Sequence, residues 1–412
     1  MKIAIISKSN RYAGGASKVA EDLMLWLNKT GYVADHFIAF PNQNLDHSLV
    51  LLQRSLYGTK LTTILCKKIH QITNKLGFRE LLPVEYWFSL RQVIDNYDII
   101  HFHDLFTAIS PITLALVSKR KPTFFTVHDC SAFTGGCLYP MECEKFISHC
   151  HQCPQLGQNT WKERIRDRTR EIQSIKRYIT ERYNIRYIFP SNWIAQQASL
   201  ALEFKVPPVV IPNGIDLMPF VFKDKSEAKE CLGISRKRQV VLLSALSLDD
   251  GRKGAIYAVK ALQSVVDFNP IVITVGKPNE DLRRSLQGLE VIEMGFISDS
   301  NLMAKVCSAS DIMLFCSLAD NLPLTVLEAM AASSVIVGFS TGGVTDMIKS
   351  GHNGVLVEPK NQEALNQALR QTMLSGNLGT MGQQARLDVE NNFSKGLFLK
   401  NHLQMYREAL ST

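Results

Sequence analysis

The sequence predicts an α/β protein built from two doubly wound, Rossmann-like domains facing one another across a cleft. Three observations predict it. Short apolar runs rich in β-branched and aromatic residues alternate with helical patterns along the chain. The alternation falls into two similar series, separated by Val206-Pro-Pro-Val-Val-Ile-Pro-Asn-Gly-Ile-Asp216, whose prolines and Asn-Gly oppose regular structure. Several runs are apolar on both faces, as strands covered by helices on both sides must be.

In the first series the expected strands are Lys2–Ser7, Val33–Phe40, Asp98–His103, Thr123–His128 and Arg186–Pro190. In the second they are Val240–Leu246, Ile271–Gly276, Glu290–Gly295, Asp311–Cys316 and Val335–Phe339. Lys395–Leu410 reads as an amphipathic helix. These assignments give a first domain over 1–205 with a Cys-rich insertion at 134–157, and a second over 206–394. A C-terminal helix over 395–412 is expected to return to the first domain.

At 412 residues the length suits roughly two to three domains. The net charge of +8 fits phosphorylated substrates, an anionic membrane surface or nucleic acid without choosing among them. No apolar run reaches the ~18 residues that a transmembrane helix needs. Met1–Ser7 turns polar too soon for a signal peptide and reads as a strand. A cytoplasmic location is therefore expected, where disulfides are rare.

Ligands of doubly wound sheets sit at the carboxyl ends of the strands. Gly14-Gly15, His103, His128, Lys253, Asp320 and Gly342-Gly343 all fall there. The most informative segment is Cys316-Ser-Leu-Ala-Asp-Asn-Leu-Pro-Leu-Thr-Val-Leu-Glu-Ala-Met-Ala331, in which Asp320 and Glu328 stand eight positions apart. Asp320 follows an apolar strand, and Glu328 lies inside a helical pattern. Pro323 suits a first helical position, where its missing N–H costs nothing. Asn321, Leu322 and Pro323 lead into the helix, and the N–H groups of Leu324 and Thr325 then lack intrahelical partners. They point back toward the strand end with the positive end of the helix dipole, an arrangement that binds an anion and sets a carboxylate on either side of it. A phosphate bearing sugar hydroxyls would suit it.

Other constellations surround this one. Gly14-Gly15 lets a ligand approach the backbone closely, but the pattern G-x-G-x-x-G is absent, which counts against a nicotinamide or flavin enzyme. Arg252 and Lys253 precede the helical pattern Ala255–Val266 and are placed to hold a diphosphate, the Arg bidentately; a solvated basic turn is the plainer reading. His128 ends a strand, where a His can hydrogen-bond a sugar hydroxyl or move a proton. His101 and His103 alternate with apolar residues and also fit satisfied strand positions. Cys137, Cys143, Cys150 and Cys153 fall within seventeen positions, with His149 and His151 nearby. They suit either a closed structural zinc site or reduced thiols and redox-sensitive bridges. The stretch Trp161–Arg170 with Lys176-Arg177, and the stretch Leu61–Arg79, are basic. Each reads as a solvated helix or as a contact for an anionic membrane or lipid phosphate.

Together Gly14-Gly15, Val127-His128-Asp129, Pro190-Ser191, Ile211-Pro-Asn-Gly-Ile-Asp216, Lys253-Gly254, Asp320 through Ala331 and Gly342-Gly343 resemble the retaining glycosyltransferases of family 4, which have the two-domain GT-B fold. The stretch from Phe133-Thr-Gly-Gly-Cys137 to Cys153-Pro-Gln-Leu-Gly157 looks like a narrower branch that includes colanic-acid and exopolysaccharide transferases. The chain departs from the family at several points. Asp320 stands where Glu is usual, Asp346 replaces a Glu, and Ala245-Leu246 replaces the Gly-Arg that usually precedes the Lys. Ser333 and Val335 occupy positions where Gly and Pro are common.

The resemblance implies transfer of a sugar from a nucleotide-diphosphate donor to a hydroxyl acceptor, with retention. The acceptor would be a lipid-linked or other oligosaccharide in exopolysaccharide, capsule or O-antigen assembly. The first domain would take the acceptor and the second the nucleotide sugar. Asp320 and His128 would orient the sugar, Lys253 and Arg252 would meet the diphosphate, and Glu328 would hold the ribose hydroxyls. No catalytic cofactor and no nucleic-acid partner are expected; a peripheral seat on the inner face of the plasma membrane is. A nucleotide-sugar epimerase on the same fold, or a non-catalytic zinc-stapled binding protein, are the alternatives.

Overall fold

The computed structural model describes residues 1–40, 48–50, 60–78, 81–156, 167–221, 224–247, 250–277 and 280–411. They divide into two compact units, Met1–Ile211 with Leu399–Thr412, and Pro212–Phe398. The division falls later than the expected Lys205/Val206 boundary, inside the Pro- and Asn-Gly-containing segment. The helix Lys395–Ser411 leaves the second unit at Phe398 and continues in the first.

The first unit contains a seven-stranded sheet of order β3-β2-β1-β4-β5-β6-β7. Its strands are β1 (Lys2–Ser7), β2 (Val33–Ile38), β3 (Ser48–Val50), β4 (Ile99–His103), β5 (Thr123–Thr126), β6 (Ile185–Phe189) and β7 (Val209–Val210). Every pairing is parallel. The second unit contains a six-stranded sheet of order β10-β9-β8-β11-β12-β13, also parallel throughout. Its strands are β8 (Val240–Ser247), β9 (Ile271–Lys277), β10 (Glu290–Gly295), β11 (Ile312–Phe315), β12 (Val335–Phe339) and β13 (Gly354–Val357).

Both faces of the second sheet are covered. Val240 and Leu242 of β8 join one apolar cluster with Met313 and Phe315 of β11. The alternate residues Val241, Leu243, Ile312 and Leu314 join another. This is why these strands read as continuous apolar runs instead of alternating ones. The helix Leu324–Ala331 buries Val326, Leu327, Ala329 and Met330 in the first of these clusters.

Strand order reverses between β1 and β4 in one unit and between β8 and β11 in the other. A crevice opens at such a reversal, because the chain leaves the two neighbouring strands toward opposite faces. The loops after β8 and β11 carry Lys253 and Asp320; those after β1 and β4 carry Gly14 and Asp104. Among the described residues no helix is long and apolar enough to cross a membrane.

Candidate active site

In the second unit the chain leaves β8 and makes a short turn over Gly251–Lys253 before the helix Ala255–Gln263. Asp250 shapes that turn: its Oδ1 accepts the Arg252 N–H at 3.0 Å, and its Oδ2 accepts from Arg252 Nη2 at 3.0 Å. The turn is then tied to the segment after β11. Leu318 N–H donates to the Arg252 carbonyl at 2.7 Å, and Arg252 Nη1 donates to the Ala319 carbonyl at 2.7 Å. Gly254 adopts a left-handed φ of 66°, and any Cβ there would run into the Cys316 carbonyl. Only glycine lets the two loops approach this closely.

The approach joins Lys253 to Asp320. Lys253 Nζ donates to Asp320 Oδ2 at 2.5 Å, and Arg252 Nη1 stands 3.7 Å from the same oxygen. Asp320 is buried, and its Oδ1 accepts the Asn321 N–H at 3.1 Å. Two neighbours hold the segment from behind. Gly342, at φ 55°, packs its α-carbon against the Asp320 carbonyl with no room for a side chain. Asn213 Nδ2 donates to the Leu322 carbonyl at 3.2 Å.

Pro323 is the N-cap of the helix Leu324–Ala331, one place earlier than expected, because its ψ of 124° is extended. Its carbonyl accepts from the N–H groups of Val326 and Leu327. The N–H groups of Leu324 and Thr325 are left without an acceptor among the described residues. Two cationic side chains, a carboxylate and a helix N-terminus thus gather at the crevice between β8 and β11. Glu328 sits farther along the helix, half-buried, where its charge helps burial push the Cys307 thiol up.

The first unit holds the remaining expected residues. Gly14 links β1 to the helix Gly15–Lys29 with φ 141°, a value side chains rarely adopt, and it faces open space. His128 lies just beyond β5, its ring stacked on His103 with centroids 5.2 Å apart and its Nε2 3.0 Å from His103 Nδ1. Burial, with the nearby His402, pulls the His128 pKa down to about 3. It is therefore a neutral hydrogen-bonding group near pH 7. His101 is a satisfied strand residue, its ring nitrogens meeting Tyr406 Oη at 2.6 Å and Thr126 Oγ1 at 2.8 Å.

Sequence reasoning missed Asp104, Asp250 and Asn213. Asp104 follows β4 with a left-handed φ of 46°, and burial, aided by Asp129, lifts its carboxyl to about 7 against the pull of Lys8. Its position directly after His103 at a strand end was the available signal. Asp250 was legible as an N-cap two residues before Arg252. Asn213 was read as part of the hinge segment and of the motif Ile211–Asp216, without a role of its own. Among the described residues no three His, Cys, Asp or Glu side chains are drawn together as a ready metal site. Cys137, Cys143, Cys150 and Cys153 are free thiols that line one small cavity. Of the basic stretch Trp161–Arg170, residues 161–166 lie outside the described residues, as do Arg79 of Leu61–Arg79 and Gly157 of the Cys-rich insertion.

Comparison with known proteins places this geometry in a family. Residues 13–218 match the model for Glycosyltransferase Family 4, and residues 237–374 match that for Glycosyl transferases group 1. An uncharacterized glycosyltransferase of Methanocaldococcus jannaschii is 23% identical over 77% of each chain. The Escherichia coli UDP-Gal:alpha-D-GlcNAc-diphosphoundecaprenol alpha-1,3-galactosyltransferase is 24% identical over 47% of this chain and 52% of its own. A provisionally named colanic acid biosynthesis glycosyl transferase of E. coli K12 is 24% identical over 59% of this chain and 58% of its own. Among solved structures, sucrose-phosphate synthase of Thermosynechococcus elongatus superimposes with a TM-score of 0.73 at 18% identity, covering 100% of this chain and 99% of that one. Anabaena HepE in complex with UDP-glucose gives 0.66 at 16% identity, covering 100% and 99%. Matching family models across both units, together with two parallel sheets of the GT-B type, make this chain a glycosyltransferase of family 4.

Proposed function

We propose that the chain moves a sugar, with retention of anomeric configuration, from a nucleotide-diphosphate sugar to a hydroxyl of a lipid-linked oligosaccharide in exopolysaccharide, capsule or O-antigen assembly. The observation that carries this reading is the Lys253–Asp320 pair beside the unpartnered Leu324 and Thr325 N–H groups. As the bond between the anomeric carbon and the β-phosphate oxygen breaks, its electron pair leaves with the nucleoside diphosphate. Lys253, Arg252 and the two N–H groups stabilise that growing charge, which is where preorganised donors contribute most. The acceptor oxygen forms the new bond on the same face and passes its proton to the departing phosphate. Asp320 and a neutral His128 orient the sugar hydroxyls, Gly14-Gly15 let the donor approach the backbone, and Glu328 holds the ribose. Asn321, Leu322 and Pro323 shape the wall of the donor site.

Two further features support the acceptor class. The first unit holds an apolar cavity of about 60 Å³ lined by Leu105, Phe106, Ile109, Leu114, Ile175 and Tyr187, suited to an apolar part of the acceptor. The helix Lys60–Lys75 and the residue after it expose Ile64, Leu65, Ile72 and Leu76 on one side, with Lys68 and Lys75 exposed among them. An exposed apolar stripe studded with lysines lies flat on anionic lipid. The E. coli relative named for a diphosphoundecaprenol substrate, and HepE crystallised with UDP-glucose, agree with a lipid-linked acceptor and a nucleotide-sugar donor.

The test is incubation of nucleotide sugars, first ranked by thermal shift, with a synthetic lipid-diphosphate oligosaccharide. A product whose new linkage keeps the donor's anomeric configuration by NMR is expected. An inverted linkage refutes retention. A sugar changed while still on its nucleotide refutes transfer.

A further inference from the structure

The Cys-rich insertion contains chemistry that sugar transfer leaves unused. Cys137, Cys143, Cys150 and Cys153 all line a single pocket of about 20 Å³, together with His151, Pro140, Phe146, Pro154 and Thr169. That volume admits one small body, since a single water-sized probe needs ~10–15 Å³. The four thiols are unbridged and lie within electrostatic reach of one another.

One backbone donor is aimed at a sulfur of this cavity. Gly135 N–H donates to Cys150 Sγ at 3.2 Å. Lys145 lines the same cavity and donates to the His151 and Gln152 carbonyls at 3.3 and 3.2 Å. Neutral thiols accept such bonds weakly, and four thiolates in one apolar space repel one another. A divalent soft-to-borderline cation resolves both problems.

We propose that Cys137, Cys143, Cys150 and Cys153 bind one zinc ion as thiolates, forming a structural clip in the first unit. As they stand the four side chains are not drawn into a coordination sphere. They turn inward to reach Zn–S distances of ~2.3 Å. Each thiol loses its proton on binding, so four protons are released per ion and the centre carries a net charge of −2, which faces Lys145. With four protein ligands no position stays open, so the metal holds a loop and does no chemistry.

The loop it holds matters for the apolar cavity. The buried Gln173 accepts the Cys150 N–H at 2.7 Å and donates to the Phe133 and Phe146 carbonyls at 3.1 and 2.6 Å. Asp167 Oδ2 accepts the Cys153 N–H at 2.8 Å. Gly135 lines both the cysteine cavity and the larger apolar cavity, so the clip fixes a wall of the latter.

The experiment uses the full chain purified under reducing conditions and dialysed against a weak chelator, with metal counted by mass spectrometry and thiols by alkylation. About one zinc per chain is expected, with four cysteines protected from alkylation until a mercurial releases the metal. Cobalt added to stripped protein should give the intense visible bands of a tetrahedral tetrathiolate. Cys150→Ser and Cys153→Ser should lose the metal, while Cys231→Ser, at an exposed site elsewhere, should keep it. Four freely alkylated cysteines with no metal and no cobalt spectrum overturn the proposal, as do disulfides among the four. None of these measurements depends on the protein's ability to transfer sugar.

Discussion

Lys253 and Asp320, 67 positions apart in the chain, meet at 2.5 Å across the point where strand order reverses between β8 and β11. In the proposed reaction, the carboxylate occupies before any donor arrives the cation that would meet the diphosphate. A bound diphosphate would have to share or exchange that partner, and until then the carboxylate holds the lysine in place.

Lys253→Ala should lower turnover by ~10²–10³-fold, the usual consequence of removing one preorganised charge-stabilising group. The acceptor KM should change much less. Steady-state kinetics with saturating donor checks this, and near-normal turnover contradicts the assigned role. The variant should also lose ~1–3 kcal/mol of stability, because Asp320 is buried and keeps, besides the Asn321 N–H, only the Arg252 cation at 3.7 Å. Adding Asp320→Asn should restore part of that loss, measured by urea denaturation.

Gly342→Ala should displace the Asp320 segment, since the new methyl group meets the Asp320 carbonyl and the backbone is already left-handed. Gly351→Ala provides the control: its φ of 83° is equally unfavourable, but the space around it is open. Both should be destabilised by ~1–3 kcal/mol from strain. Only Gly342→Ala should also lose turnover beyond its unfolded fraction.

Stability should fall as the solution is acidified below pH ~6.5. Burial holds His36 and His128 at about 3 when folded, while the unfolded chain takes up their protons near 6.5. Their stabilising effect is complete above the unfolded value and lost as pH drops toward the folded one, at about 1.4 kcal/mol per pH unit for each histidine. Asp104 acts with the opposite sign, its raised carboxyl losing stability as pH climbs from ~4 to about 7. His128→Asn should therefore flatten the acid loss and Asp104→Asn should steepen it. Urea midpoints across this range decide.

Omitting magnesium or manganese from the assay, or adding them back, should change turnover by less than about twofold, because in the proposed reaction Lys253, Arg252 and the helix amides would supply positive charge to the diphosphate. A strict requirement for a divalent ion contradicts this arrangement.

Full-length protein should sediment with anionic vesicles and not with zwitterionic ones. Leu65→Asp with Ile72→Asp should abolish the binding, because both side chains are exposed on the helix Lys60–Lys75. Unchanged sedimentation of the double variant removes this helix as the membrane contact.

Strands buried on both faces were readable, and β12 runs over the expected Val335–Phe339; the outermost β10, with no fully buried residue, was nonetheless read over its whole length, Glu290–Gly295. The strands that escaped notice, β3, β7 and β13, are short outermost strands, bounded by a neighbour on one side only. Such edges carry little apolar signal. In the site, Asp320 and Lys253 were legible from their places after strands. Their direct contact was not, since it depends on Gly254 and Gly342 letting distant backbone segments touch. His128 also differed from simple expectation: stacking on His103 and proximity to His402 are tertiary facts, and they make it a neutral hydrogen-bonding group near pH 7.

The helix Lys395–Ser411 delivers Tyr406 into the first unit, where its hydroxyl meets His101 and its ring packs against Phe124 with centroids 5.0 Å apart. During synthesis, Tyr406 leaves the ribosome after all of Pro212–Phe398. The core of the second unit is complete without Tyr406, whereas the first keeps a gap beside His101 until that helix is supplied. A released chain truncated after Phe398 should consequently display a folded second unit and a protease-sensitive first unit.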